Sequence, residues 1–231
     1  MGQDIQRGGQ SFEVHEGLAA PFMFDNVSTD VIAPALTNLT SGLDTPRSSA
    51  AAGSGASDGR VTAFANIRYN ADGSPRRDFV FNQEAYRTAS IMVVGRNYAT
   101  GSSRVTGVTR PLAAWGVRVY IGESFGPIFL TNAVQYGVLT VELPRETLNE
   151  IVEWVESHHG VPMKVDLERQ VIEMPGRDPI AFETDPRVRN KLLNGLHDLE
   201  EIEPHLPEAR TMRERDEQER PWVYQPGDSS R

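Results

Sequence analysis

The sequence predicts an α/β protein with a core of parallel strands and a periphery of short strands, and three observations predict it. Three compact apolar runs, Ile91 to Val94, Val117 to Gly122 and Val138 to Leu143, have the length of buried strands. A segment of about one helix's length separates each run from the next, which is the spacing of crossover connections between parallel strands. After the third run, an amphipathic helix and then a set of short strands with turn residues between them complete the pattern.

Taken in order, residues 1–16 read as a polar leader. "LAAPFMFDNVSTDVIAP" is an apolar lead into a polar knot, closed by Pro34. Its bare reading is a turn in which Ser28 or Asp30 bonds its own backbone. "RSSAAAGSGASDGR" is small and polar enough to be a mobile loop, and residues 36–60 are assigned to it.

"FVFNQEAYRTASIMVVG" leads into the first core strand, which Gly95 bounds. "PRETLNEIVEWVES" is the clearest helix. Pro144 suits its first turn, Leu148, Ile151, Val152 and Val155 form one apolar stripe, and Glu150, Glu153 and Glu156 face water. "MKVDLERQVIEMPGRDPIAFET" reads as short strands turning at Glu168-Arg169 and Gly176-Arg177. "DPRVRNKLLNGL" reads as a helix capped by Asp185, with Pro186 at its first position.

Residues 17–200 are taken as one domain and 201–231 as a charged C-terminal tail, helical or disordered, whose Trp222 and Tyr224 suggest docking. His158-His159 ends a helix beside Gly160, which favours interaction with the helix terminus over metal binding.

Composition narrows the chemistry. The chain of 231 residues carries 32 Asp and Glu against 23 Lys and Arg, a net charge of -9, which argues against nucleic-acid binding because counterion release needs clustered cations. The absence of Cys excludes disulfides, thiolate metal sites and cysteine nucleophiles, so iron-sulfur chemistry could come only from a partner chain. No metal site is expected in this chain. No apolar run approaches the roughly 18 residues of a membrane span, and the N-terminus lacks a signal-peptide core, so a cytoplasmic protein is expected.

The residues that carry chemistry cluster in "GRNYATGSSR", Gly95 to Arg104. A strand that ends at Gly95 and feeds a helix near Ser102 puts this loop at the carboxyl end of a sheet, where open α/β folds bind ligands. Free N–H groups and the positive dipole end of a helix start favour an anion. Gly101 allows close approach of the backbone, Ser102 and Ser103 supply hydroxyls, and Arg104 offers a planar fork for a carboxylate or phosphate. The competing reading is an ordinary N-cap serine followed by a surface arginine. The loop has neither the Gly-Lys-Ser/Thr ending of a phosphate loop nor a Gly-x-Ser-x-Gly elbow.

Four segments in this order resemble one family. "NVSTDVIAP" is similar to the Asn-Ile-Asp-Thr-Asp-Gln-Ile-Ile-Pro entry of 3-isopropylmalate dehydratase small subunits, the swivelling β/β/α domain of the aconitase superfamily. "RNYATGSSR" resembles their Asn-Phe-Gly-Cys-Gly-Ser-Ser-Arg. "ESFGPIFLTNAVQYGVLTVEL" and "LLNGLHDLEEI" resemble later segments of the same family, so the likeness spans residues 17 to 200.

The resemblance implies an aconitase-type swivelling fold and the small-subunit role in a two-chain hydro-lyase. Its large subunit holds a four-iron four-sulfur cluster on three cysteines, and this chain binds no cofactor. The implied substrate is a small di- or tricarboxylate, isomerised by loss and return of water as in leucine biosynthesis. By position, Ser102 matches the catalytic base, and Ser103 and Arg104 match residues that hold a substrate carboxylate. Asp30, beside Thr29, matches an acidic position that orients the site. The loop occupies the place where the family reads the substrate's variable group. Arg47 within it is a candidate for a second carboxylate, against a solvated loop arginine.

The chain also departs from the pattern. Val105 and Thr106 stand where the family continues Glu-His, and Ala99 and Thr100 replace Gly-Cys before Gly101. These departures motivate a second reading, a noncatalytic binding or regulatory module that keeps the fold and its anion pocket.

Overall fold

The computed structural model describes residues 11–34, 63–101, 112, 115–196, 200 and 202–224. They divide into a unit ending at Gly195 and a C-terminal unit beginning at Leu196.

Four strands, β2 (Ala19–Phe22), β3 (Ile91–Val94), β4 (Val119–Gly122) and β5 (Leu139–Glu142), form a parallel sheet in that order. Its register aligns Ala19 with Ile91, Ile91 with Val119 and Val119 with Leu139, so the four carboxyl ends finish level. Every residue of β3 and β4 is buried, as expected of parallel strands covered on both faces. All three predicted core strands are present. β2 was not anticipated, since Pro21 lacks the N–H of a central strand; it is tolerated because β2 lies at the sheet edge.

A second, antiparallel sheet joins β1 (Val14–Gly17), β6 (Met163–Asp166), β7 (Val171–Glu173) and β8 (Ile180–Ala181) in that order. β6 to β8 are the short strands read from the sequence. β1 lies inside the stretch read as a polar leader, where Phe12 is also buried. The structured part of the unit therefore extends ahead of residue 17. Only Leu18 separates β1 from β2, and its carbonyl accepts N–H bonds from Ser90 (3.0 Å) and Ile91 (3.1 Å). At the same junction His15 Nε2 and Ser90 Oγ are hydrogen-bonded at 2.8 Å.

Two one-turn helices, α1 (Thr29–Ile32) and α2 (Ala65–Arg68), lie against each other between β2 and β3. Helix α3 (Pro127–Gln135) follows β4 and contacts β5. Its Phe129 meets the rings of Tyr98 and Tyr120, two phenols whose burial pushes their pKa values up and keeps them neutral. Helix α4 (Arg145–Ser157), with Pro144 as N-cap, lies across β2, β3 and β4 and buries Leu148, Ile151, Trp154 and Val155. This is the predicted stripe with Trp154 added and with Val152 only partly buried at its edge. The Trp154 indole N–H donates to the Pro175 carbonyl at 3.2 Å and so ties α4 to the turn after β7.

Helix α5 (Pro186–Asn194) begins as predicted, with Asp185 Oδ1 accepting N–H bonds from Arg187 (2.9 Å) and Val188 (3.3 Å). It ends at Gly195 in the left-handed conformation. The histidine pair has structural roles. His158 stacks on Trp154 with ring centroids 4.8 Å apart, and His159 bonds the Tyr86 hydroxyl at 3.2 Å.

In the C-terminal unit, α6 (Leu206–Glu219) and α7 (Pro221–Tyr224) make the tail helical. The Tyr224 hydroxyl donates to Asp216 Oδ2 at 2.8 Å and turns α7 back onto α6, while Trp222 is exposed. Among the described residues, no helix is long and apolar enough to cross a membrane.

Candidate functional site at the carboxyl ends of the parallel strands

Because the four strands end level, the loops that leave them share one end of the sheet. The loop after β2 enters α1, and the loop after β3 runs from Gly95 to Gly101. These are the two polar knots of the sequence, and the backbone joins them directly. Thr29 N–H donates to the Thr100 carbonyl at 2.9 Å, and Thr100 N–H donates to the Val27 carbonyl at 3.1 Å. The pairing is that of a parallel bridge between Ser28 and Thr100.

The expected turn at Ser28 is instead the opening of α1. Ser28 is its N-cap residue without a side-chain capping bond, and Thr29 and Asp30 form its first turn. Thr29 is buried and Asp30 exposed.

Gly101 lies against Thr29. Its φ is +120°, and a Cβ at this position would fall 2.8 Å from Thr29 Oγ1. Both conformation and space therefore require glycine here. Two residues earlier, Ala99 is fully buried with φ of 56°, a left-handed conformation that costs about 1–2 kcal/mol for an L-residue. Ala99 thus adopts a backbone more readily taken by glycine. Thr29, Asp30 and Gly101 are the expected site residues that the fold brings to one place. Ser102, Ser103, Arg104 and Arg47, together with the helix expected near Ser102 and the loop 36–60, lie outside the described residues.

The loop after β4 braces the same segment. Tyr98 N–H donates to the Ser124 carbonyl (3.0 Å), Gly126 N–H to the Tyr98 carbonyl (2.8 Å) and Asn97 N–H to Ser124 Oγ (2.9 Å). On the other side, Asn26 N–H donates to the Arg96 carbonyl at 2.8 Å, and Asn97 Nδ2 donates to Asn26 Oδ1 at 2.9 Å. The segment Arg96–Gly101 is therefore bonded along both edges.

Three charged residues that the sequence reading missed complete this end of the sheet. Asp25 Oδ1 accepts the Arg96 N–H at 2.9 Å and Arg145 Nη2 at 2.6 Å, and Arg145 Nε lies 3.1 Å from Glu123 Oε2. The Arg96 N–H bond first, then the Arg145 bond and charge, hold the Asp25 carboxyl below its ordinary range, against some desolvation. The available signals were an Asp ahead of the first knot, a Glu-Ser pair after a strand and an Arg opening a helix. None of these marks a site by itself.

The donor set does not fit an iron-sulfur cluster. The chain has no Cys, and among the described residues no group of three or more His, Asp and Glu is placed to hold a metal ion.

Comparison with known proteins shows the family and the fold. The model of the aconitase C-terminal domain matches residues 58–146. The 3-isopropylmalate dehydratase small subunit of Ruegeria sp. is 37% identical over 217 residues, covering 93% of this chain and 100% of that protein. That of Gluconacetobacter diazotrophicus is 38% identical over 216 residues, covering 92% and 96%. The solved structure of 3-isopropylmalate dehydratase from Methanocaldococcus jannaschii superposes with a TM-score of 0.53 at 20% identity, over 86% of this chain and 99% of that one, a likeness of fold.

Proposed function

The chain belongs to the family of 3-isopropylmalate dehydratase small subunits, and from that membership we propose that it is the small subunit of a two-chain hydro-lyase that isomerises a substituted malate, 3-isopropylmalate first among them. The observation that carries the reading is the meeting of the two knots. Thr29 is bonded to Thr100 and pressed against Gly101, so the backbone that precedes Ser102 in the chain is fixed at the carboxyl end of the sheet.

In this reading Ser102 is the general base. Its Oγ, as alkoxide, takes the proton from the carbon beside a carboxylate, and the C–O bond on the neighbouring carbon breaks. The proton and hydroxide leave as water, which is then returned to the enoate in the opposite sense. An alkoxide base is demanding at neutral pH and needs fixed donors around the oxyanion. Backbone N–H groups of the loop and the Arg104 guanidinium are the donors proposed. Ser103 and Arg104 hold a substrate carboxylate, Asp30 orients the closing site, and Arg47 takes a second carboxylate.

The four-iron four-sulfur cluster that the family implies is assigned to a cysteine-bearing large subunit, since this chain supplies no thiolate. The complex is placed in the cytoplasm. The reading is tested by co-expressing the chain with its large subunit and assaying isopropylmalate, citrate, homocitrate and methylmalate. Turnover by the pair, with none by this chain alone, is expected. An assembled complex that turns over none of the four overturns the reading and leaves a binding module.

A further inference from the structure

Arg145 occupies an unfavourable place for a cation. It is the first residue of α4, where the positive end of the helix dipole repels a guanidinium. Two carboxylates hold it there, Asp25 from the loop after β2 and Glu123 from the loop after β4, and each uses a different nitrogen of the fork.

Asp25 then extends the reach of this contact to the loop after β3. The oxygen that accepts from Arg145 also accepts the Arg96 N–H. Gly95 is what lets the carboxylate lie so close to the backbone. A Cβ there would collide with Asp25 Oδ1 and fall 2.6 Å from the Phe24 carbonyl oxygen. One side chain opening the helix after β5 thus connects the loops after β2, β3 and β4.

The side chains of Arg145, Asp25 and Glu123 are 33%, 30% and 29% exposed, so water partly screens the pairs. Without Arg145, Asp25 would keep the Arg96 amide and the Arg96 guanidinium 3.9 Å away, and Glu123 would lose the cation that joins it to Asp25. Asp25 would then be held on the side of the Arg96 amide alone, with nothing from the loop after β4 or from α4 to fix its carboxylate.

We propose that Arg145 is a positioning residue that, through Asp25 and Glu123, fixes the segment Gly95–Gly101 and hence the approach of the chain to Ser102. Its bearing on catalysis rests on the function proposed above; its bearing on the loop does not.

The test therefore has two readouts on Arg145→Met, Arg145→Lys and Asp25→Asn. In the full-length small subunit, amide hydrogen exchange over residues 95–101 is expected to quicken at least fivefold in Arg145→Met. A smaller change is expected in Arg145→Lys, whose single point charge reaches one carboxylate at a time. Exchange unchanged in all three overturns the proposal.

In the assembled two-chain enzyme, Arg145→Met is expected to lower kcat about tenfold, with KM and affinity for the large subunit within twofold of the wild type and partial recovery in Arg145→Lys. A raised KM at unchanged kcat would make Arg145 a substrate contact, and lost assembly would make it an interface residue; either overturns the positioning role. If Arg145→Met does not fold, the Lys and Asn variants decide by the same readouts. A wild-type complex inactive on every substrate would refute the functional reading, while the exchange measurement would still decide the positioning of the loop.

Discussion

Gly101 and Thr29 are in contact across two loops: a Cβ at residue 101 would lie 2.8 Å from Thr29 Oγ1, and the Gly101 φ of +120° is itself a conformation that other residues resist. Gly101→Ala is therefore expected to cost about 1–3 kcal/mol of stability and to lower turnover in the two-chain enzyme at least tenfold. Thr29→Ala added to it removes the contact but not the backbone strain, so only part of the stability should return. Chemical denaturation with turnover on the same samples checks both; a stable Gly101→Ala with wild-type turnover would contradict the geometry.

Trp154 is buried under the parallel sheet and bonded to the Pro175 carbonyl, which joins α4 to the antiparallel sheet. Trp154→Ala should destabilise the small subunit by about 3–5 kcal/mol, the range for deleting a buried aromatic ring. Trp154→Phe should cost less, because it keeps most of the packing and loses the hydrogen bond. Urea unfolding midpoints of the two variants test this order.

His15 gives the protein a predictable response to acid. Desolvation first, and then the nearby Arg118 charge, hold its pKa below the ordinary 6.5, so the folded state prefers the neutral ring. A group of this kind contributes full stability above its unfolded pKa, and the contribution is lost as pH falls through the folded one. Thermal midpoints should thus decline as pH drops below about 6.5, and His15→Gln, which can still bond Ser90, should remove that part of the decline. Identical slopes in wild type and variant would refute it.

Much of the fold was legible because its elements carry their own signals. β3 and β4 are unbroken apolar runs, β5 alternates buried Leu139 and Val141 with Thr140 and Glu142, α4 has its stripe, and α5 announces both ends with Asp185 and Gly195. β1 and β2 were not legible. β1 alternates exposed and half-buried residues and becomes a strand by pairing with β6, far along the chain, and β2 carries a proline that only an edge position tolerates.

The site divides in the same way. Thr29, Asp30 and Gly101 could be named as candidates because each lies in a local motif. Asp25 and Arg145 were missed because they are 120 residues apart in sequence and meet only when the strands end level. The conformation of Ala99 was likewise hidden, since alanine gives no local sign of a left-handed backbone.

The most direct test of the central claim is turnover of 3-isopropylmalate by the chain assembled with its cysteine-bearing large subunit, wild type beside Ser102→Ala. The account predicts turnover by the wild-type complex and a loss of at least a thousandfold in kcat with Ser102→Ala, at unchanged assembly, on the order of removing a proton-transferring group. A Ser102→Ala complex that assembles and keeps wild-type turnover would contradict it.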